Sequence, residues 1–73
     1  MKENTLFEVF LMRNRIDELI KEKGYMKKYV AQKVGITPNQ LSNWLAGKSY
    51  PPLDKAYILA DLLGVKVDDL YER

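Results

Sequence analysis

Apolar residues recur at three- and four-residue spacing along most of the chain, which predicts helices rather than strands. The first stripe consists of Val9, Met12, Ile16, Leu19 and Ile20. Thr5 and Glu8 have the spacing of a capping box, so this helix is expected to begin near Leu6 and to end at Gly24. The stripe is poorly defined before Arg13, and a disordered or strand-like tail over residues 1–12 is the alternative.

A second, short helix is predicted over Lys27–Val34, because Val30, Ala31 and Val34 share one face. Gly35 follows this helix directly. Glycine is the residue best suited to the left-handed conformation that ends a short helix, so the chain is expected to turn there.

The clearest helix start in the chain follows this turn. Thr37 is suited to cap the helix, Pro38 occupies the first helical position, where a missing N–H costs nothing, and Gln40 completes a capping box. This third helix is expected to run to about Ala46, before Gly47.

Two more helices are predicted after a loop that contains two adjacent prolines. The fourth carries Ala56, Leu59, Ala60 and Leu63 and ends at Gly64; the short fifth carries Val67, Leu70 and Tyr71. No segment alternates with period two, so the predicted fold is all-α. We expect one domain over residues 13–73, with residues 1–12 as an N-terminal extension.

Composition narrows the classes of function. The 73 residues include neither cysteine nor histidine, which excludes disulfides and removes the usual zinc ligands and the commonest general base. We therefore expect no cofactor, no metal site and no enzymatic activity. No apolar run approaches the ~20 residues needed to cross a bilayer. A cytoplasmic protein with no membrane partner is the expectation.

Positive charge is concentrated in the middle of the chain. Residues 21–52 carry a net charge of +5, whereas residues 1–20 carry −1 and residues 53–73 carry −2. The lysines in the stretch without acidic residues are Lys27, Lys28, Lys33 and Lys48. Such a segment suits a partner with many negative charges, although a solvated lysine-rich face is the alternative, above all for Lys33.

The second and third predicted helices are separated by only Gly35-Ile36-Thr37, which is typical of a helix-turn-helix. Ala31 and Gly35 stand four residues apart, as close crossing of the two helices requires. The sequence resembles the Xre family, the Cro/repressor type of bacterial and phage regulators, over residues 14–72. The matching residues are Asn14-Arg15-Ile16-Asp17-Glu18-Leu19, Lys21-Glu22-Lys23-Gly24, Val30-Ala31-Gln32-Lys33-Val34-Gly35-Ile36-Thr37, Leu41-Ser42-Asn43-Trp44, Gly47-Lys48, Pro52, Ala60, Leu63-Gly64-Val65 and Asp69-Leu70-Tyr71. Many relatives carry Thr-Gln where this chain has Met26-Lys27.

The resemblance implies a compact five-helix bundle of the lambda-repressor-like type that places its third helix in the major groove of double-stranded DNA. The residues that would then face base edges are Thr37, Pro38, Asn39, Gln40 and Asn43. The residues expected to contact phosphates are Lys27, Lys28, Lys48, Ser49 and Tyr50. With no arginine on this helix, we expect a code that leans toward A·T pairs.

The implied function is a transcriptional regulator that binds a pseudo-palindromic operator as a homodimer and represses by promoter occlusion. An antitoxin or another protein-interaction module on the same scaffold is the alternative. Two sets of residues are candidates for the dimer contact: Leu6, Phe7, Phe10 and Leu11, or Leu70 and Tyr71. Both sets could instead belong to the core, and the core is the safer prediction for Leu70.

Overall fold

The computed structural model describes residues 13–72. Their elements in chain order are strand β1 (Arg13–Asn14), helices α1 (Ile16–Lys23), α2 (Lys27–Val34), α3 (Pro38–Leu45) and α4 (Leu53–Leu63), a 3-10 turn (Val67–Leu70) and strand β2 (Tyr71–Glu72). The all-α prediction is confirmed, and the second, third and fourth predicted helices lie where the sequence placed them. None of the helices in this described part is long and apolar enough to span a bilayer.

One apolar core joins the four helices and the 3-10 turn. Its buried members are Ile16, Leu19, Ile20, Val30, Ala31, Val34, Leu41, Trp44, Ala56, Leu59, Ala60, Leu63 and Leu70. Within the core, α2 and α1 each pack against both α3 and α4, so the packing fixes which faces of α2 and α3 remain outside. Trp44 is buried, as expected for a packing residue.

The first predicted helix is wrong in its central part. The apolar stripe placed Met12 and Ile16 on one continuous helix, but Arg13–Asn14 is extended and α1 begins only at Ile16. The Asn14 side chain accepts a hydrogen bond from the Ile16 backbone N–H at 2.8 Å, which satisfies a donor in the first turn of α1. The predicted start near Leu6 lies outside the described residues, as do the candidate dimer contacts Leu6, Phe7, Phe10 and Leu11.

The predicted fifth helix is also wrong, so the bundle has four α-helices among the described residues instead of five. Val67–Leu70 forms a single 3-10 turn, and the chain then becomes extended at Tyr71. There β2 pairs antiparallel with β1, with Arg13 opposite Glu72 and Asn14 opposite Tyr71. A hydrogen bond from the Arg15 N–H to the Leu70 carbonyl, at 2.9 Å, continues this pairing. The two ends of the domain are thus held together by backbone bonds.

Candidate nucleic-acid interface

Helix α3 presents one apolar and one polar face. Leu41 and Trp44 are buried against the core, which turns the opposite side of the helix outward. Four of the predicted base-contacting residues are exposed and the fifth, Asn43, is half-buried; the exposed four are Thr37, Pro38, Asn39 and Gln40. The packing therefore brings the five residues together on the first turns of one helix.

The predicted capping box at the start of α3 is formed. The Gln40 backbone N–H donates to Thr37 Oγ1 at 3.0 Å, and the Thr37 backbone N–H donates to Gln40 Oε1 at 3.0 Å. The amide oxygen of Gln40 therefore already accepts a hydrogen bond from within the protein. A two-bond contact of Gln40 with adenine, which uses both amide atoms, would have to share this oxygen with the cap.

Ser42 is exposed on the same helix and is absent from the predicted contacts. It lies three residues after Asn39 and four residues after Pro38, so it continues their row by one turn. Helical spacing alone could have identified it. We count Ser42 with the outward residues of α3.

The N-terminus of α2 is open. Met26 precedes the helix with backbone angles of a cap residue, φ −82° and ψ 144°, but its side chain makes no capping hydrogen bond. The first turn of α2 contains no acidic residue, and both Lys27 and Lys28 are exposed there. Free N–H groups and the positive end of the helix dipole make such a terminus attractive to an anion.

Lys27 is within reach of a carboxylate from α1. Its Nζ lies 4.0 Å from Asp17 Oδ1, while Lys21 Nζ lies 3.2 Å from Asp17 Oδ2. Among the described residues, Lys28 has no such ion pair. The two neighbouring lysines therefore differ in their surroundings, a difference that the sequence does not reveal.

The loop after α3 carries the remaining predicted phosphate contacts. Gly47 has a positive φ of 76°, and the Lys48 N–H donates to the Asn43 carbonyl at 2.9 Å, which folds the loop back onto the end of α3. Lys48, Ser49 and Tyr50 are all exposed. The Tyr50 ring lies 6.0 Å from the Tyr71 ring, so β2 supports this loop.

A lysine from α4 supports the turn between α2 and α3. Lys55 Nζ donates to the carbonyl of Val34 at 3.3 Å, where the last carbonyls of α2 lack helical partners. Gly35 follows with a φ of 86°, and a side chain at this position would meet Lys55 Nζ. The predicted left-handed glycine is confirmed, and Lys55 is a supporting residue that the sequence did not indicate.

The comparisons with known proteins point in one direction. The family model described as helix-turn-helix, of the Cro/C1 type, matches residues 16–70. A crystal structure of a proposed DNA-binding protein from Bacteroides fragilis is similar, with 34% sequence identity and a TM-score of 0.77 over 85% of this chain and 100% of that chain. Among curated proteins, no sequence matches this chain.

Proposed function

Because the chain belongs to the Cro/C1-type helix-turn-helix family, also called Xre, we propose that it is a DNA-binding regulator of transcription that reads its operator with α3. The observation that carries this proposal is the outer face of α3. Its residues Asn39, Gln40 and Ser42 are exposed, while Leu41 and Trp44 on the opposite side of the helix are buried. The similar protein from Bacteroides fragilis, itself proposed to bind DNA, supports the same assignment.

Phosphate binding would come from two sites that flank α3 in the chain. One is the open N-terminus of α2 with Lys27 and Lys28, and the other is the loop with Lys48, Ser49 and Tyr50. Contacts of this kind fix the register of a protein on the duplex and supply much of its affinity, without reading sequence.

Base reading would fall mainly to the asparagines. Asn39 is exposed and makes no side-chain hydrogen bond within residues 13–72, so both atoms of its amide are available for adenine. Asn43 is half-buried and would reach the groove from the second turn. Gln40, whose amide oxygen is held by Thr37, would donate a single hydrogen bond. A preference for A·T pairs follows from this set.

We further propose that two copies bind a pseudo-palindromic operator, because one helix reads too few base pairs to select a site. Half-sites would lie about 10 bp apart, one turn of the duplex. A dimer on a promoter would block polymerase, which makes repression by occlusion the simplest mechanism, acting in the cytoplasm. Leu70 is fully buried and so is not available as a dimer contact.

The first test is fluorescence anisotropy of a mixed-sequence duplex of roughly 30 bp, titrated with the protein over a series of salt concentrations. We expect weak binding that falls steeply with salt. Replacing Lys27 by alanine should make the slope of log affinity against log salt shallower by up to about 0.9. Selection of binding sites from a random pool then gives the operator, and guanine at most invariant positions would contradict the A·T preference.

Absence of binding even at low salt would overturn the DNA-binding proposal. The same scaffold would then serve as an antitoxin or another protein-interaction module. A small toxin-like reading frame beside the gene would favour the antitoxin.

A further inference from the structure

Asp17 is an acidic residue close to a lysine of the proposed DNA surface. It lies in the first turn of α1, and its carboxylate meets ammonium groups on two sides, Lys21 at 3.2 Å and Lys27 at 4.0 Å. Lys27 is the first residue of α2, so the second pair links α1 to the open helix end proposed to hold a phosphate.

The geometry at this carboxylate leaves one oxygen unsatisfied. Asp17 Oδ1, the oxygen that faces Lys27, is buried and accepts no hydrogen bond from the described residues. The ammonium of Lys27 is the cation that approaches this oxygen, while Lys21 pairs with the other oxygen of the same carboxylate. The side chain of Lys27 is 59% exposed, so the lysine can leave the carboxylate and reach a partner in solvent.

We propose that Asp17 lowers the affinity for DNA by competing with a backbone phosphate for Lys27. This inference rests on the proposed function. A lysine ammonium is a point charge that carries three donors, and it binds a phosphate at full strength only if no carboxylate holds it. Binding of DNA thus requires that Lys27 leave Asp17 Oδ1, and the lost ion pair subtracts from the gain at the phosphate.

Competition at a phosphate site predicts two measurable effects, one on the affinity for DNA and one on its salt dependence. Phosphate contacts are independent of sequence, so Asp17 should weaken binding to operator and to mixed-sequence DNA by the same factor. It should also lower the salt dependence, because a lysine that is already paired releases fewer counterions from DNA.

The test is a double-mutant cycle with wild type, Asp17→Asn, Lys27→Ala and the double variant, measured by anisotropy on the mixed-sequence duplex at low salt. An exposed ion pair contributes a free energy equivalent to about a 1.4- to 5-fold change in affinity. We expect Asp17→Asn to tighten binding by about that factor and to steepen the salt slope. In the Lys27→Ala background, Asp17→Asn should have little effect.

Asp61→Asn is the matched control, since it removes one negative charge from an exposed position on α4. The competition is overturned if Asp17→Asn weakens binding or leaves it unchanged. It is also overturned if the tightening equals that of Asp61→Asn, or persists without Lys27, since either result would indicate a general effect of net charge. If the wild type does not bind the duplex at all, the result contradicts the proposed function and not only the competition.

Discussion

Asn39 and Lys28 are both exposed, but the proposed function gives them different tasks. Replacing Asn39 by alanine should lower the affinity for the selected operator by about 1 to 3 kcal/mol and leave the salt slope unchanged, because a base contact is lost. Replacing Lys28 by alanine should weaken binding to every duplex and reduce the slope by about 0.9. Anisotropy on operator and on mixed-sequence DNA separates the two effects, and a reduced slope for Asn39→Ala would contradict the assignment.

Ionisation of Tyr71 makes the free energy of unfolding depend on pH in the alkaline range. Burial and, second, the nearby Tyr50 raise the pKa of Tyr71 from 10.0 to about 12. The folded state therefore keeps the phenol proton at a pH where the unfolded chain loses it. The ionisation of Tyr71 therefore leaves the free energy of unfolding unchanged below pH 10 and lowers it as the pH rises from 10 toward 12.

The substitution that tests this linkage is Tyr71→Phe. The Tyr71 hydroxyl is buried and has no hydrogen-bond partner in the described part of the chain, so removing it should raise the free energy of unfolding by about 1 kcal/mol at neutral pH. Urea denaturation of both proteins between pH 9 and about pH 12 should also show a smaller decline for the variant. Tyr57→Phe, at an exposed position, is the control. Parallel declines of wild type and Tyr71→Phe would rule the linkage out.

At the scale of elements, α2 and α3 differ in how their N-termini are stabilised. Thr37 caps α3, whereas Met26 at the same position before α2 makes no capping bond although its backbone has the required extended conformation. Met26 is 72% exposed, so its side chain contributes little packing. Met26→Ser should raise the free energy of unfolding by about 1 kcal/mol and Tm by about 4 to 8 °C. Met26→Ala is the matched control in thermal denaturation, and equal Tm values for the serine and alanine variants would show that no cap forms.

The elements that the sequence predicted well are those with local signals. Gly35 ends α2, the capping residues begin α3 and Gly64 ends α4, and each of these signals acts within a few residues. The errors lie at the two ends of the domain, where the deciding bonds join residues far apart in the chain. The bond from Arg15 to Leu70 and the pairing of β1 with β2 override the helical spacing there.

The exposure of the residues predicted to contact bases also follows from local spacing. The spacing of the apolar residues is enough to predict which residues of α3 face outward. The same spacing identifies Ser42, which is not among the predicted contacts. The spacing of residues in the sequence could not predict the contacts around the site, because they join different helices. Asp17 of α1 meets Lys27 of α2, and Lys55 of α4 meets the carbonyl of Val34. Such contacts depend on how helices pack, and no local pattern encodes them.

At the scale of the whole molecule, exposed basic and acidic residues lie on different elements, and the exposed apolar residues cluster in one stretch. The lysines proposed to face DNA lie on α2 and the loop after α3, while α4 and the following turn expose Asp54, Asp61, Asp68 and Asp69. Four of the six large apolar residues that are exposed in the described part lie within residues 50–58. Leu53 and Tyr57, 70% and 59% exposed, are one helical turn apart on α4 and so form one apolar patch.

The patch formed by Leu53 and Tyr57 is where we expect a second copy to pack when two proteins occupy one operator. Leu53 begins α4 soon after the loop proposed to bind phosphate, and both patch residues are exposed outside the core. Burying one leucine contributes about 1.5 to 3 kcal/mol, so the double variant Leu53→Ser, Tyr57→Ser should bind an operator with two half-sites at least about ten-fold more weakly. Binding to a duplex with one half-site should stay unchanged, which is the internal control for folding and DNA contact. Anisotropy measures the affinity for each of the two duplexes, and sedimentation counts the protein copies bound to each. Unchanged affinity for the full operator would exclude this patch and leave the dimer contact to another surface.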